Sequence, residues 1–508
     1  MFGGKLIRSS MKYYLLILFI AFSISSYGQN KIEYLSNTDI QKDLAYLHEI
    51  LQSKSSYQGL NGYDYQKDFN SYLKSSKSQK VTKYDFGLFL VKAIGKIGDR
   101  HSFIKEYEIK DSLYLPFAFA PYKSKVLIVN QISNEKEFKL VDPKLPYLKS
   151  INNIPIEKVL SQILPGEVLS PKLAYQTNAV RGLRDIESVF RNLEIELPNP
   201  VSIVITNDEG VDKEIKLNLV TKKAKLWDER FYNGAFGLKE EQYNDKALLN
   251  KFFKLENSIG YIQIADMLAN ENAPGFFDYL NNYMLSAKQS KALIIDVRDN
   301  GGGTRDIVQE LAGYFIHPDS VYVVNVTQQR GKLPLDEDAK DGLHSRFLFS
   351  KNELDSREQA AIGRFMTSFK PMYDLDKSRF SEYYYHVLNG QKIAKGKYHY
   401  DKPVYILANE RTFSAASILV SVFKDLPNIK VVGVNTDGSS GNSERFELPN
   451  SELRGKISTM VSYQKNGKIL DGIGTEPDIL IERSMNQIFM KEDFQLKTLL
   501  DIIKQKYN

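Results

Sequence analysis

The chain has 508 residues, 42% of them hydrophobic, a length that predicts two to four domains and a composition with ample material for apolar cores. It contains no cysteine, which excludes a disulfide framework, a thiolate nucleophile, a cysteine-built zinc site and a lipid-anchored cysteine. Lys and Arg number 68 against 62 Asp and Glu, a net charge of +6 too balanced to argue for nucleic acid or an anionic membrane as partner.

Residues 1–28 predict a signal peptide and hence an exported, periplasmic or extracellular protein. Lys5, Arg8 and Lys12 form a basic start, Tyr14 to Ile24 an apolar stretch, and Ser26-Tyr27-Gly28 a small-x-small cleavage site. The apolar run is short for a bilayer span, which needs about 20 residues, and no integral span is expected after cleavage. An uncleaved anchor is the other reading of the same residues.

Residues 29–112 predict a helical N-terminal domain. Ile40, Leu44, Leu47 and Leu51, then Phe86, Leu90, Ala93, Ile94 and Ile97, recur at the spacing of an apolar helix face. The second run ends at Gly98-Asp-Arg-His-Ser102. Histidine is the side chain best suited to general base chemistry near neutral pH, but from the bare residues His101 reads first as a helix cap or loop residue. His48, His317, His344, His386 and His399 have no such context and read as structural or exposed.

Residues 113–225 predict a β-rich domain. Val126 to Val129, Tyr147 to Ile151, Val201 to Ile205 and Ile215 to Leu219 are strand-like, with a hairpin signal at Asn207-Asp-Glu-Gly210. Leu148 to Ile156 followed by a short helix, Glu157 to Ile163, resembles the part of a PDZ domain that precedes its groove helix. Such domains bind a peptide as an added strand. A bracing domain without substrate contact is the competing reading, favoured by a helical stretch around Tyr175 to Asn192.

Residues 226–508 predict an α/β core. Ile259 to Ile264 is a strand, Pro274 to Ala287 a helix, and Ala292 to Asp296 an uninterrupted apolar strand that runs into Gly301-Gly-Gly303 and a helix with Ile307, Leu311 and Phe315 on one face. Tyr405 to Ala408 is a second buried strand, followed by Ser414 and a helix Ala415 to Phe423. Open α/β sheets place chemistry at the carboxyl ends of their strands, so the glycines and Ser414 should share one rim. Residues 327–400 read as a charged, tyrosine-rich, irregular excursion suited to a lid.

A serine beside spare backbone N–H groups suggests acyl transfer, although Phe413 breaks the Gly-x-Ser-x-Gly pattern and Ser414 alone could be a helix cap. The glycine triplet lacks the Lys-Ser/Thr of a P-loop and the dinucleotide spacing.

Asp296-Val-Arg-Asp-Asn-Gly-Gly-Gly303, Thr412-Phe-Ser-Ala-Ala416 and Asp471-Gly-Ile-Gly-Thr-Glu-Pro-Asp478, in that order, resemble the tail-specific (C-terminal processing) serine peptidases and the related tricorn core. The resemblance implies a multidomain α/β protein with a ClpP/crotonase-like catalytic core, acting on peptides or unfolded chains without cofactor or metal. It implies Ser414 as nucleophile, with the backbone N–H groups of Gly302 and Ala415 as oxyanion donors and Gly301 or Gly303 as alternatives to Gly302. The lysine base of the tail-specific branch falls at Ser439 within Thr436-Asp-Gly-Ser-Ser-Gly441, so the tricorn-like branch is implied instead. There Gly98 to Ser102 resembles an Asp-Gly-His-Thr segment, with Arg100 in place of glycine and His101 as base. Asp471 is the implied acidic member and Glu476 the next candidate. Ser417 stands where many relatives carry glutamate. Two further readings stay open: a catalytically silent peptide- or ligand-binding protein on the same fold, and a crotonase-like acyl-CoA enzyme.

Overall fold

The computed structural model describes residues 33–507 apart from 77–79, 133–135, 165–169, 230, 232–237 and 440; the signal-peptide expectation falls outside the described residues. No described helix is long and apolar enough to cross a membrane.

The core is a six-stranded sheet in the order Phe253–Glu256, Ile259–Gln263, Ala292–Asp296, Val404–Ala408, Ile429–Gly433, Ile479–Leu480. The first pair is antiparallel and the others are parallel. Every residue of the strands 292–296 and 404–408 is buried, which is why they read as continuous apolar runs rather than alternating ones. Successive side chains still go to opposite faces. Leu293, Ile295, Ile406 and Ala408 pack with the helices Pro274–Ser286, Asp306–Phe315 and Ala415–Phe423, while Ile294, Tyr405 and Leu407 pack with Leu499 and Ile503 of the helix Phe494–Tyr507. Each fully buried Leu or Ile among them contributes roughly 1.5–3 kcal/mol.

Residues 327–400 are more ordered than their composition suggests. They contribute to a four-stranded antiparallel sheet in the order Phe349–Ser350, Tyr384–Asn389, Val321–Gln329, Met460–Tyr463. They also carry helices at Glu337–His344 and Ser356–Met366. The tyrosines that made the stretch look irregular are partly core residues, Tyr384 and Tyr385 being buried.

The N-terminal helices, Asn37–Lys54, Tyr65–Ser76 and Lys83–Gly95, do not close a core of their own. Ile40, Leu44, Leu47, Phe86, Leu90 and Ile94 share one apolar cluster with Val323, Val326, Val461 and Tyr463 of that second sheet. The helical unit is thus welded to the core.

The intervening β-rich unit follows the order Asp212–Leu217, Val201–Thr206, Tyr147–Ile151, Lys125–Gln131, Ala118–Tyr122, all antiparallel. One face packs on the helices Ile156–Leu160, Lys172–Gly182 and Ile186–Asn192 through Val159, Val180, Val189 and Phe190. The other covers Trp227 and Ile488, and the Trp227 indole N–H donates to the Ile488 carbonyl at 2.9 Å.

Candidate active site

The glycine loop and the serine loop leave adjacent parallel strands at their carboxyl ends and are laced together. The Phe413 N–H donates to the Asn300 carbonyl at 2.9 Å, Thr412 Oγ1 to the Val297 carbonyl at 3.0 Å, and the Asp299 N–H to Asn409 Oδ1 at 3.0 Å. Arg411 adds an ion pair to Asp299 at 3.0 Å. Glu410, fully buried, pairs with Arg483 and accepts from Thr177 Oγ1 at 2.7 Å, which ties the serine loop to the β-rich unit.

This lacing forces a sharp turn at Ser414. Its φ is 54° and its ψ −127°, a conformation that ordinary residues adopt only at a cost. The turn lifts Oγ out of the strand and ends the loop at the first residue of the helix Ala415–Phe423, where helix geometry leaves the Ala415 N–H without an intrahelical partner. Gly302, at φ 96°, lies against this turn: a Cβ there would stand 2.5 Å from Ser414 Cβ and 2.9 Å from the Ala415 nitrogen. Only glycine permits that approach.

The Gly302 N–H, expected to be an oxyanion donor, is already committed. It donates to Asn300 Oδ1 at 2.8 Å, because an Asn two residues upstream closes an Asx turn on it. Gly303 forms an isolated parallel bridge with Met267. The bonds flanking it, Met267 N–H to the Gly302 carbonyl at 3.3 Å and Thr304 N–H to the Met267 carbonyl at 2.8 Å, turn the Gly303 N–H to the opposite side. Gly303 and Ala415 both line the cavity beside Ser414.

His101 comes from the far end of the chain, and its Nε2 lies 3.2 Å from Ser414 Oγ. The segment Phe103–Lys105 after it pairs with Arg454–Ser458, so the histidine turn is stitched into a three-stranded sheet of the core. Asp99 shapes the turn, accepting from the Ser102 N–H at 2.8 Å and Ser102 Oγ at 2.7 Å, with Ser458 Oγ as a third donor. Phe413 stacks on the imidazole at a ring separation of 4.8 Å, and Arg100 forms a buried ion pair with Asp437.

Asp99, Phe413 and the Arg100–Asp437 pair carry no assignment in the sequence reading. The one signal was the Asp-x-x-Ser spacing, which is that of a side chain capping its own turn.

The expected carboxylate on His101 is not found at hydrogen-bond range. Nδ1 is buried with no hydrogen-bond partner among the described residues. Asp471, 1% exposed, accepts from Tyr57 Oη at 2.8 Å. Burial pushes the Tyr57 hydroxyl well above its usual range, helped by the charges of Asp471 and Asp99, so the three share one buried cluster behind the histidine turn. Glu476 is exposed and sits at the other end of the nucleophile helix, beside Ser421 and Lys424.

The lysine of the related branch has no counterpart at residue 439, and Lys465 does not replace it. Ser439 is buried and donates to Asp437 at 3.1 Å, and Lys465, pushed down to about 8 by burial, donates to carbonyls at the C-terminal end of the nucleophile helix. Ser417 Oγ donates to the Thr412 carbonyl at 2.7 Å and accepts from the Gly438 N–H at 3.3 Å, which braces the turn.

Burial pushes His101 down to about 3, and Lys456, Arg100 and Arg346 push in the same direction. The imidazole is therefore neutral and able to accept a proton, in a positive field.

Residues 258–481 match the model of peptidase family S41. An uncharacterised protein of Chlamydia muridarum is 23% identical over 262 residues, 46% of this chain and 42% of its own length. A protein of Chlamydia pneumoniae is 22% identical over 237 residues, 43% of this chain and 36% of its own. The chain thus spans less than half the length of these curated relatives. The structure of mature CPAF complexed with lactacystin is similar with a TM-score of 0.62 at 18% identity, covering 92% of this chain and 98% of that one, a likeness of fold.

Proposed function

We propose that this chain, whose residues 258–481 match the model of peptidase family S41, is a serine-type peptidase of the tail-specific kind that hydrolyses peptide bonds in peptides or unfolded chains through Ser414 and His101. The observation that carries the reading is the 3.2 Å approach of His101 Nε2 to Ser414 Oγ.

Ser414 Oγ attacks the substrate carbonyl while His101 Nε2 takes its proton. The N–H groups of Ala415 and Gly303 hold the oxyanion, with Gly303 replacing Gly302 because the latter's N–H is committed to Asn300. Collapse of the tetrahedral adduct breaks the C–N bond, and the proton on His101 goes to the leaving amine. Water then attacks the acyl-enzyme with His101 again as base, and Ser414 is restored. Asp471 acts as a positioning residue, through Tyr57 and the Asp99 turn. The β-rich unit, with a cavity lined by Lys125, Tyr147, Lys149, Ile156, Val204 and Asp212, serves as a PDZ-like peptide binder. The basic start and apolar stretch of residues 1–28 support export.

The buried Nδ1 without a carboxylate favours a second reading, a silent binding protein on the same fold. A fluorophosphonate probe separates the two. An adduct on Ser414, absent from Ser414→Ala and His101→Ala, is the expected result; a well-folded protein that never labels belongs to the silent reading.

A further inference from the structure

Beside Ser414 lies a cavity of about 180 Å³ whose wall includes Gly303, Thr304, Arg305, Arg346, Ala415 and Ile418. Two of these residues are arginines, Arg305 buried and Arg346 half-buried, and neither has, among the described residues, the partner a shielded charge usually has. Arg305 is 3% exposed. Its recorded hydrogen bonds leave Nη1 for neutral oxygens, Asn325 Oδ1 at 3.4 Å and the Arg346 carbonyl at 3.1 Å. Arg346 donates to the Gly342 carbonyl and to Ser345 Oγ. Among the described residues neither guanidinium has a carboxylate partner.

Arg330, 3% exposed and outside this cavity, also lacks a carboxylate among the described residues and donates to the Gln52 carbonyl, but the other arginines with little exposure are treated differently. Arg298 pairs with Asp296 and Asp493, Arg411 with Asp228 and Asp299, and Arg483 with Glu229 and Glu410. A buried charge is ordinarily paired because desolvation is costly. Arg305 and Arg346 instead repel one another, and burial with that repulsion pushes Arg305 down to about 9. The positive field reaches the reacting pair, since Arg346, Arg100 and Lys456 all act on His101. The free protein thus holds one buried cation, Arg305, and one half-buried cation, Arg346, at the wall of a small cavity next to Ser414.

We propose that this cavity binds a carboxylate of the substrate, held by Arg305 and Arg346, and so selects which bond is presented to Ser414. The inference deepens the peptidase reading and rests on it for the word substrate. A guanidinium matches a carboxylate with two parallel N–H donors, which supplies direction as well as charge. The carboxylate is either the side chain of an Asp or Glu flanking the scissile bond or the terminal group of the chain being cleaved. The same group, facing His101, would offset the three cations and make the imidazole a stronger base.

The test uses full-length Ser414→Ala protein, so that binding is read without turnover. The probes are acetylated, amidated hexapeptide pools with a central Glu, Gln or Lys, and the Gln pool with a free terminal acid. Tighter binding of Glu than Gln by about tenfold supports the side-chain source, and tighter binding of free acid than amide the terminal source. In either case Arg346→Glu in the same background should abolish the preference, and for the side-chain source favour Lys. Arg346→Gln, checked for an unchanged thermal transition, guards against a folding defect. Equal binding of all four pools, no binding of any, or a preference untouched by both substitutions overturns the proposal. Cleavage of the Gln pool by the unsubstituted protein separately reports whether the peptidase reading stands.

Discussion

Nε2 of His101 and Oγ of Ser414 lie 3.2 Å apart across 313 positions of chain, whereas Asp471 faces Tyr57 and not Nδ1 of the same imidazole. The proposed base and nucleophile are therefore within direct reach of one another, while the Asp471 carboxylate makes no hydrogen bond to Nδ1. His101→Ala should lower kcat/KM by about 10²–10⁴-fold. Asp471→Asn should cost less than about tenfold in kcat while lowering the thermal transition, since it weakens a buried hydrogen bond by roughly 1–3 kcal/mol. A loss near 10⁴-fold for Asp471→Asn with an unchanged transition would place its carboxylate on Nδ1 in the working enzyme.

The backbone at Ser414 makes a prediction about stability. With φ at 54° and ψ at −127°, any side chain there is strained, and glycine is not. Both Ser414→Ala and Ser414→Gly should abolish activity, but the glycine variant should be the more stable in urea by about 1 kcal/mol. The opposite order would mean that the turn is relaxed. Gly302→Ala should damage fold and activity together, because its Cβ would meet Ser414 Cβ at 2.5 Å.

Local pattern made the core legible. The strands 292–296 and 404–408 and the helix Ala415–Phe423 announce themselves as unbroken apolar runs and a following helical face, and the topology of α/β sheets then puts the glycines and Ser414 on one rim. His101 was legible only through its resemblance to a known segment, since nothing local says which distant loop it meets. Gly302 misled because backbone N–H direction depends on a neighbour, Asn300, whose side chain has several turns open to it. Arg305 and Arg346 went unremarked for a related reason: an arginine is remarkable only when its partners are known to be missing, and partners are a property of the fold. The tyrosines of residues 327–400 resisted too, because the strands 321–329, 384–389 and 460–463 are buried at nearly every position and so show no alternation of apolar and polar residues.

Arg100 stands where the related segment carries glycine, and its ion pair with Asp437 joins the histidine turn to the very turn in which a lysine base would lie. Only 3% of the Asp437 side chain is exposed, so removing its partner leaves a buried charge with inadequate company. Arg100→Ala should destabilise by about 3–5 kcal/mol. Asp437→Asn, which keeps the shape, should lower kcat more than it raises KM, because the displaced group is His101 and not a substrate contact. Equal loss in Asp437→Asn of substrate affinity and turnover would assign the pair to binding instead. Steady-state kinetics beside urea unfolding decides between these.

Acid should unfold this protein before it protonates the base. Burial holds His101 and His386 down to about 3 in the folded state, whereas in the unfolded chain histidine takes up its proton near about 6.5. Between those values the unfolded chain binds more protons, so the stability from the two neutral rings is complete above about pH 6.5 and drains away as pH falls toward about 3, by at most ~1.4 kcal/mol per pH unit for each. Glu229 works in the opposite sense. Its carboxyl is pushed up from 4.5 to about 7 by burial, against the pull of Arg483, and over that window it offsets one of the histidines. The thermal transition should therefore decline gently from about pH 6.5 to about 4.5 and steeply below, where Glu229 no longer compensates. Over the range in which the fold survives, kcat/KM should show no acid limb, since His101 stays unprotonated there. Thermal melts and kcat/KM measured on the same pH series check both halves. A kcat/KM that halves near pH 6.5 at constant thermal transition would show His101 titrating as an exposed imidazole, and would remove the burial argument on which its neutrality rests.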